Sequence, residues 1–241
     1  MKKIKKIIKN ILKGLGYDLD RKRALNNYQK VLSYNFETIL DIGANVGQFS
    51  KEMLGIFPNA QIYAFEPVPD CYEKLKKISK KPNFHSFPFA LGNKHGETDI
   101  NVSSYSPSSS LLKMSDLHKK IFPHTAGEHK ETIQIRRLDD MASELNIKTP
   151  LLIKMDVQGY EKEVILGGQE TFKKASVVFS EISFVSLYEG QPLADEIRRL
   201  LKELGFEYKG FLNQKKKPQT REILIEDSIF VKKEQTTHLD K

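Results

Sequence analysis

Residues 37–50, Glu-Thr-Ile-Leu-Asp-Ile-Gly-Ala-Asn-Val-Gly-Gln-Phe-Ser, limit the folds open to this chain more than any other stretch. An apolar run rich in β-branched residues meets an acid, Asp41. It then passes two glycines four apart, Gly43 and Gly47, and continues as a helix-compatible segment to Phe57 and Pro58. That outline predicts a strand, a tight turn and a helix, the first unit of an open α/β sheet. Ligands of such sheets bind beyond the carboxyl ends of the strands. Gly43 and Gly47, having no Cβ, are expected to let the backbone come close to a ligand. The helix that follows offers unpaired N–H groups to a carboxylate.

The spacing narrows the choice of ligand. A dinucleotide fingerprint wants Gly-x-Gly-x-x-Gly, but the middle position here is Asn45 and no third glycine follows in register. A phosphate-binding loop needs Gly-Lys-Ser/Thr, and none is present. A ligand with a nucleoside at one end and a small carboxylate at the other fits what remains, and S-adenosyl-L-methionine has that form. A second strand, residues 61–65, ends at Glu66 before Pro67. An acid there, about 20 residues past the glycines, can accept from both ribose hydroxyls. The plainer alternative makes Asp41 a turn cap and Glu66 a solvated strand end.

The motif Asp41-Ile42-Gly43-Ala44-Asn45-Val46-Gly47 is followed in order by Phe65-Glu66-Pro67, Ala90-Leu91-Gly92 and Ser108-Ser109-Ser110-Leu111. Last comes Ile153-Lys154-Met155-Asp156-Val157-Gln158-Gly159-Tyr160-Glu161. Together these resemble the FkbM family of S-adenosylmethionine-dependent methyltransferases over about residues 38–232. The first motif is shared by many class I methyltransferases, whereas the one at 154–161 is more specific. The resemblance implies an α/β, Rossmann-like class I methyltransferase fold. Its sheet is mostly parallel and seven-stranded, with a terminal antiparallel hairpin and helices on both faces. It implies that Asp41, Gly43, Ala44, Asn45, Gly47, Glu66, Pro67, Ala90, Leu91 and Ser109 surround the cofactor. It also implies O-methylation of a hydroxyl on a sugar, glycan or secondary metabolite.

With 241 residues and 39% apolar composition, the chain supports one sizeable core. The expected organisation is a basic lead-in at 1–35, a methyltransferase domain at 36–233 and a disordered tail at 234–241. One cysteine and no export signal point to a reducing cytoplasm. The six histidines form no ligand cluster, so no metal site is expected. The net charge of +8 would attract anions in general. The chain has no aromatic-interleaved basic motif, so nucleic acid is not an expected partner. Residues 2–15 carry isoleucines and leucines on one helical face and lysines on the other. Such a helix either packs its stripe onto the domain as a lid or dimer contact, or lies on the inner face of the membrane.

Further along, residues 69–80 read as a helix and 83–89 as the third strand, whose end at Ala90 and Leu91 faces the adenine position of this fold. Residues 113–130 are polar and read as a mobile excursion carrying His118, His124 and His129. Asp139 and Asp140 suit the N-cap of a helix following the strand at 131–137. Residues 151–156 form the fourth parallel strand. There Lys154 and Asp156, two apart, leave the same face. A lysine inside such a strand is costly unless paired, and its expected partner is Asp156 or Glu181 from the next strand. Buried pairs stabilise poorly, so one kept beside a cleft points to function, although it could simply tether two strands. Asp156 is the expected base or acceptor-fixing group, with Lys154 and Glu181 setting its charge state. Rival readings are an NAD-dependent oxidoreductase and a non-catalytic membrane-surface or glycan-binding module on the same fold.

Overall fold

In the computed structural model, which describes residues 28–78, 81–217 and 220–233, the run after Glu37 is the strand β1 (Thr38–Ile42), buried at every position. Such burial suits a strand covered on both faces by helices. Helix α1 (Gln48–Ile56), β2 (Gln61–Phe65), helix α2 (Pro69–Leu75) and β3 (Phe84–Phe87) follow. The three strands pair in parallel. The chain then builds a separate sheet from β4 (Ala90–Gly92), β5 (Gly96–Ser103) and β6 (Glu128–Arg137), in the order β4-β6-β5. Helix α3 (Asp116–Ile121) interrupts the connection between β5 and β6. Helix α4 (Leu138–Glu144) leads back to β7 (Leu151–Met155), which pairs in parallel with β1.

Helices α5 (Glu161–Gly167) and α6 (Gln169–Lys174), strand β8 (Ala175–Ser183), helix α7 (Ala194–Glu203) and strands β9 (Phe206–Lys216) and β10 (Ile223–Lys232) complete the chain. The main sheet runs β3-β2-β1-β7-β8-β10-β9. Strand β10 is antiparallel to both neighbours, so a mostly parallel seven-stranded sheet ends in the anticipated hairpin. Alternation along the strands sends Leu40, Ile42, Ile153 and Val178 to one core and Ile39, Leu152, Val177 and Phe179 to the other. Register sets the site. Ile42 stands opposite both Phe65 and Met155, so the residues that follow these three strands emerge at one sheet edge.

Three local expectations change. Ala90-Leu91-Gly92 is not the end of the third strand but begins the second sheet; Pro88, with no N–H to give a ladder, separates the two. The polar stretch 113–130 is tied down: Met114, His118 and Thr125 are buried, and Ser115 caps α3 by accepting from the His118 N–H. The packed body also reaches back to Tyr28, whose ring stacks on Phe179 at 5.8 Å and whose hydroxyl donates to Glu52 at 2.9 Å. The amphipathic segment 2–15 and the tail 234–241 lie outside the described residues. Among the described residues no helix is long and apolar enough to cross a membrane.

Candidate active site

Beyond the ends of β1, β2 and β7 lies a cavity of about 340 Å³. The turn Gly43-Ala44-Asn45 forms one side, Glu66 to Val68 a second, and Phe89, Ala90 and Leu91 a third. The serine turn after β5 and the segment from Asp156 to Gln158 close it.

The turn is made of alternating left-handed residues. Gly43 has φ +73°, Asn45 φ +49° and Gly47 φ +77°. Asparagine is among the few side chains that adopt this region readily. Its Oδ1 accepts from the Val46 N–H at 2.8 Å, and its Nδ2 donates to Ser106 Oγ at 3.2 Å. Packing within the protein also constrains the two glycines. A Cβ on Gly43 would stand 2.0 Å from the Asp156 carbonyl oxygen, and one on Gly47 would stand 1.7 Å from Ile78 Cδ1. Both glycines are required by backbone conformation and by packing within the protein, and Gly47 does not line the cavity.

Glu66 lines the cavity and is 5% exposed. One carboxylate oxygen accepts from the Asn45 N–H at 2.7 Å, the other from the Val68 N–H at 2.9 Å. Burial pushes this carboxyl up to about 7, against the pull of those two amides and of Lys154. The acid therefore joins the ends of β1 and β2 while keeping a lone pair free on each oxygen.

Asp41 is 0% exposed and does not line the cavity. It accepts from Ser50 Oγ at 2.6 Å, and its other oxygen is 3.1 Å from Lys154 Nζ. Lys154 was expected to pair with Asp156 or Glu181. Its nearest carboxylate is instead Asp41, because Asp41 and Lys154 are register partners on adjacent parallel strands. Asp156 stands 4.0 Å away, and Glu181 is bonded elsewhere. The Lys154 ammonium also donates to the Gly43 carbonyl at 2.6 Å, which fastens the turn to β7. Burial lowers the pKa of this side chain, but Asp41, then Asp156 and Glu66, more than offset that and leave it above the ordinary lysine value.

Asp156, its side chain 39% exposed, lines the cavity just past β7. Its Oδ1 accepts from Gln158 Nε2 at 2.6 Å. The same amide nitrogen donates to Glu181 Oε1 at 2.7 Å. Glu181 does not line the cavity; Lys215 Nζ lies 3.5 Å from its other oxygen. Burial, then the charge of Asp156, raises Glu181 to about 8, with Lys215 opposing. Below this turn Glu161 accepts from the N–H groups of Val157 at 3.1 Å and Gly159 at 3.3 Å. Burial raises it to about 7.

Residues 41–208 match the family described as the methyltransferase FkbM domain, a span that runs from the last two residues of β1 to the start of β9. The chain belongs to the FkbM methyltransferase family. It is 32% identical over 163 residues to the 2-O-methyltransferase NoeI of Sinorhizobium fredii, covering 64% of this chain and 66% of that one, just under two thirds of its length. It is 25% identical over 177 residues to the hexuronic acid methyltransferase AglP of Haloferax volcanii, covering 70% and 69%. A solved FkbM methyltransferase from Methylobacillus flagellatus KT superposes with a TM-score of 0.47 at 13% identity, over 82% of this chain and 44% of that one.

In this FkbM chain, Gly43, Ala44, Asn45, Glu66, Pro67, Ala90, Leu91 and Ser109 share the cavity with Lys154 and Asp156, while Asp41, Gly47 and Glu181 stand outside it. Sequence reasoning assigned no role to Phe49, Phe89, Tyr105 or Tyr160, which also line it, or to Tyr188, which donates to Gln158. Gln158 itself sits inside the motif at 154–161, next to Gly159. An amide-bearing residue beside a glycine, just past a buried strand, was the available sign.

Proposed function

We propose that this FkbM chain transfers a methyl group from S-adenosyl-L-methionine to a hydroxyl oxygen of a sugar, glycan or secondary metabolite. The observation that carries this reading is the meeting of Glu66, the Gly43-Ala44-Asn45 turn and Asp156 around one cavity. Its donor set suits the cofactor. Glu66 has lone pairs to spare for two ribose hydroxyls, and the first turn of α1, where Gln48 and Phe49 line the cavity, has N–H groups for a carboxylate. Val68, Phe89 and Leu91 supply an apolar slot for a base. When bound, S-adenosylmethionine supplies a methyl group already activated by its sulfonium charge.

The protein then has to hold an acceptor hydroxyl in line, keep water out and take up its proton. Asp156 is the group for the proton, since it is the carboxylate on the cavity with one oxygen free of hydrogen bonds among the described residues. Lys154 acts by holding the turn, and Glu181 acts on Asp156 from behind. The name of NoeI supports transfer to an oxygen, and that of AglP supports an acidic sugar as acceptor. The lone cysteine suits a reducing cytoplasm, and the basic apolar stripe at 2–15 suits contact with the inner face of the membrane.

Incubation with methyl-labelled S-adenosylmethionine and fractionated glycans and metabolites tests this. Label is expected in an O-methyl product. Asp156→Asn should cut transfer by about 100-fold or more while S-adenosylhomocysteine affinity stays within about twofold. Absence of transfer to any hydroxyl-bearing fraction, or full activity of the variant, overturns the assignment.

A further inference from the structure

Resting on that reading, we infer that Gln158 is a positioning residue that locks the Asp156 carboxylate in one orientation at the cavity, with Glu181 and Tyr188 as its anchors. The first sign is backbone conformation. Gln158 has φ +52°, and of the four non-glycine residues with positive φ among the described residues it is the buried one. A glutamine gains nothing locally from the left-handed region, unlike asparagine, so its surroundings must hold it there.

Hydrogen bonds from three sides supply that hold. The Gln158 carbonyl accepts from Ser110 Oγ at 2.7 Å, and Glu161 takes up the N–H groups on either side of it. Its side-chain oxygen faces the Tyr188 hydroxyl at 2.9 Å, and that hydroxyl also lies 3.0 Å from the Ser108 carbonyl. With the amide oxygen fixed towards Tyr188, the NH2 group must face the acids. It reaches Asp156 at 2.6 Å and Glu181 at 2.7 Å, one oxygen of each. The amide has two N–H bonds and uses one for each carboxylate.

A neutral double donor is what two neighbouring acids require. Without it, no side chain would tie Asp156 to Glu181, and the more exposed Asp156 carboxylate would turn freely at the cavity. With it, Asp156 Oδ1 is tied and Oδ2 is left for an acceptor hydroxyl. The serine turn, which lines the cavity, has a further use here. Ser110 donates to the Gln158 carbonyl and so holds that end of the clamp.

The clamp is read without any acceptor by carboxyl-carbon NMR of the full chain, with Gln158→Leu and Tyr188→Phe compared to the parent and Asp156→Asn used for assignment. The charged and titratable groups facing this pair are Lys154, Glu161, Lys215, Asp227 and Tyr188; Gln158→Leu keeps all five, and Tyr188→Phe keeps all but the phenol. In Gln158→Leu both carboxyl resonances should shift at fixed pH. The Glu181 midpoint, already raised by burial and by Asp156, should move higher, because a lost N–H donor no longer favours the charged form. Tyr188→Phe should give smaller shifts of the same sign. S-adenosylhomocysteine affinity should stay within about twofold in Tyr188→Phe, since Tyr188 does not line the cavity. Unchanged resonances and midpoint in Tyr188→Phe, or in a folded Gln158→Leu, overturn the clamp. Failure of the parent to bind S-adenosylhomocysteine overturns the methyltransferase reading and leaves the clamp standing.

Discussion

Asp41 and Lys154 show how far one residue's role depends on its neighbour across the sheet. Asp41 is 0% exposed and Lys154 14%, so neither charge is stable there without the other. Lys154→Met should therefore cost about 3–5 kcal/mol, since it strands a buried carboxylate. Adding Asp41→Asn should recover most of that loss, because the uncompensated charge is gone. Chemical denaturation of the two single variants and the double variant measures it. A double variant as unstable as the sum of the singles would mean that the pair is not the relevant interaction. From sequence, Lys154 was legible as a buried cation that needs an acid. Which acid was not legible, because nothing local says that β1 lies beside β7.

At the level of elements, Asp139 illustrates a similar displacement. It reads as an N-cap and is one, but for a different helix. It accepts from the Glu170 and Thr171 N–H groups at 3.2 and 2.8 Å and from Thr171 Oγ1 at 2.7 Å, so it caps α6 from its place in α4. Its companion Asp140 instead lies 2.6 Å from His95. Asp139→Ala should destabilise the protein by about 1–2 kcal/mol and leave S-adenosylhomocysteine affinity unchanged, as thermal melting and calorimetry would report. A loss of affinity without a loss of stability would contradict the capping role. The parallel strands and the closing hairpin were legible because alternation and buried apolar runs are local signals. The second sheet was not, since Ala90-Leu91-Gly92 has only three residues and its partner, β6, lies more than 35 positions further on. His118 was missed for the same reason: it is packed between Phe122 and Tyr188, and the stretch around it is polar.

For the molecule as a whole, function follows from register. Ile42, Phe65 and Met155 lie level across three parallel strands, so Gly43, Glu66 and Asp156 open onto one cavity although 113 positions separate the first from the last. These positions were legible because each directly follows an apolar strand. The buried amide and hydroxyl behind Asp156 were not, since they converge only in the folded chain. If Glu66 grips the ribose of the methyl donor, calorimetry with S-adenosylhomocysteine at pH 8 should register its loss. At that pH Glu66, raised to about 7, is ionised. The parent chain should give saturable one-to-one heat, and Glu66→Gln should bind at least about tenfold more weakly, since hydrogen bonds to a charged group contribute about 1.5–3 kcal/mol. No saturable heat with the parent, or equal affinity in the variant, would contradict the account.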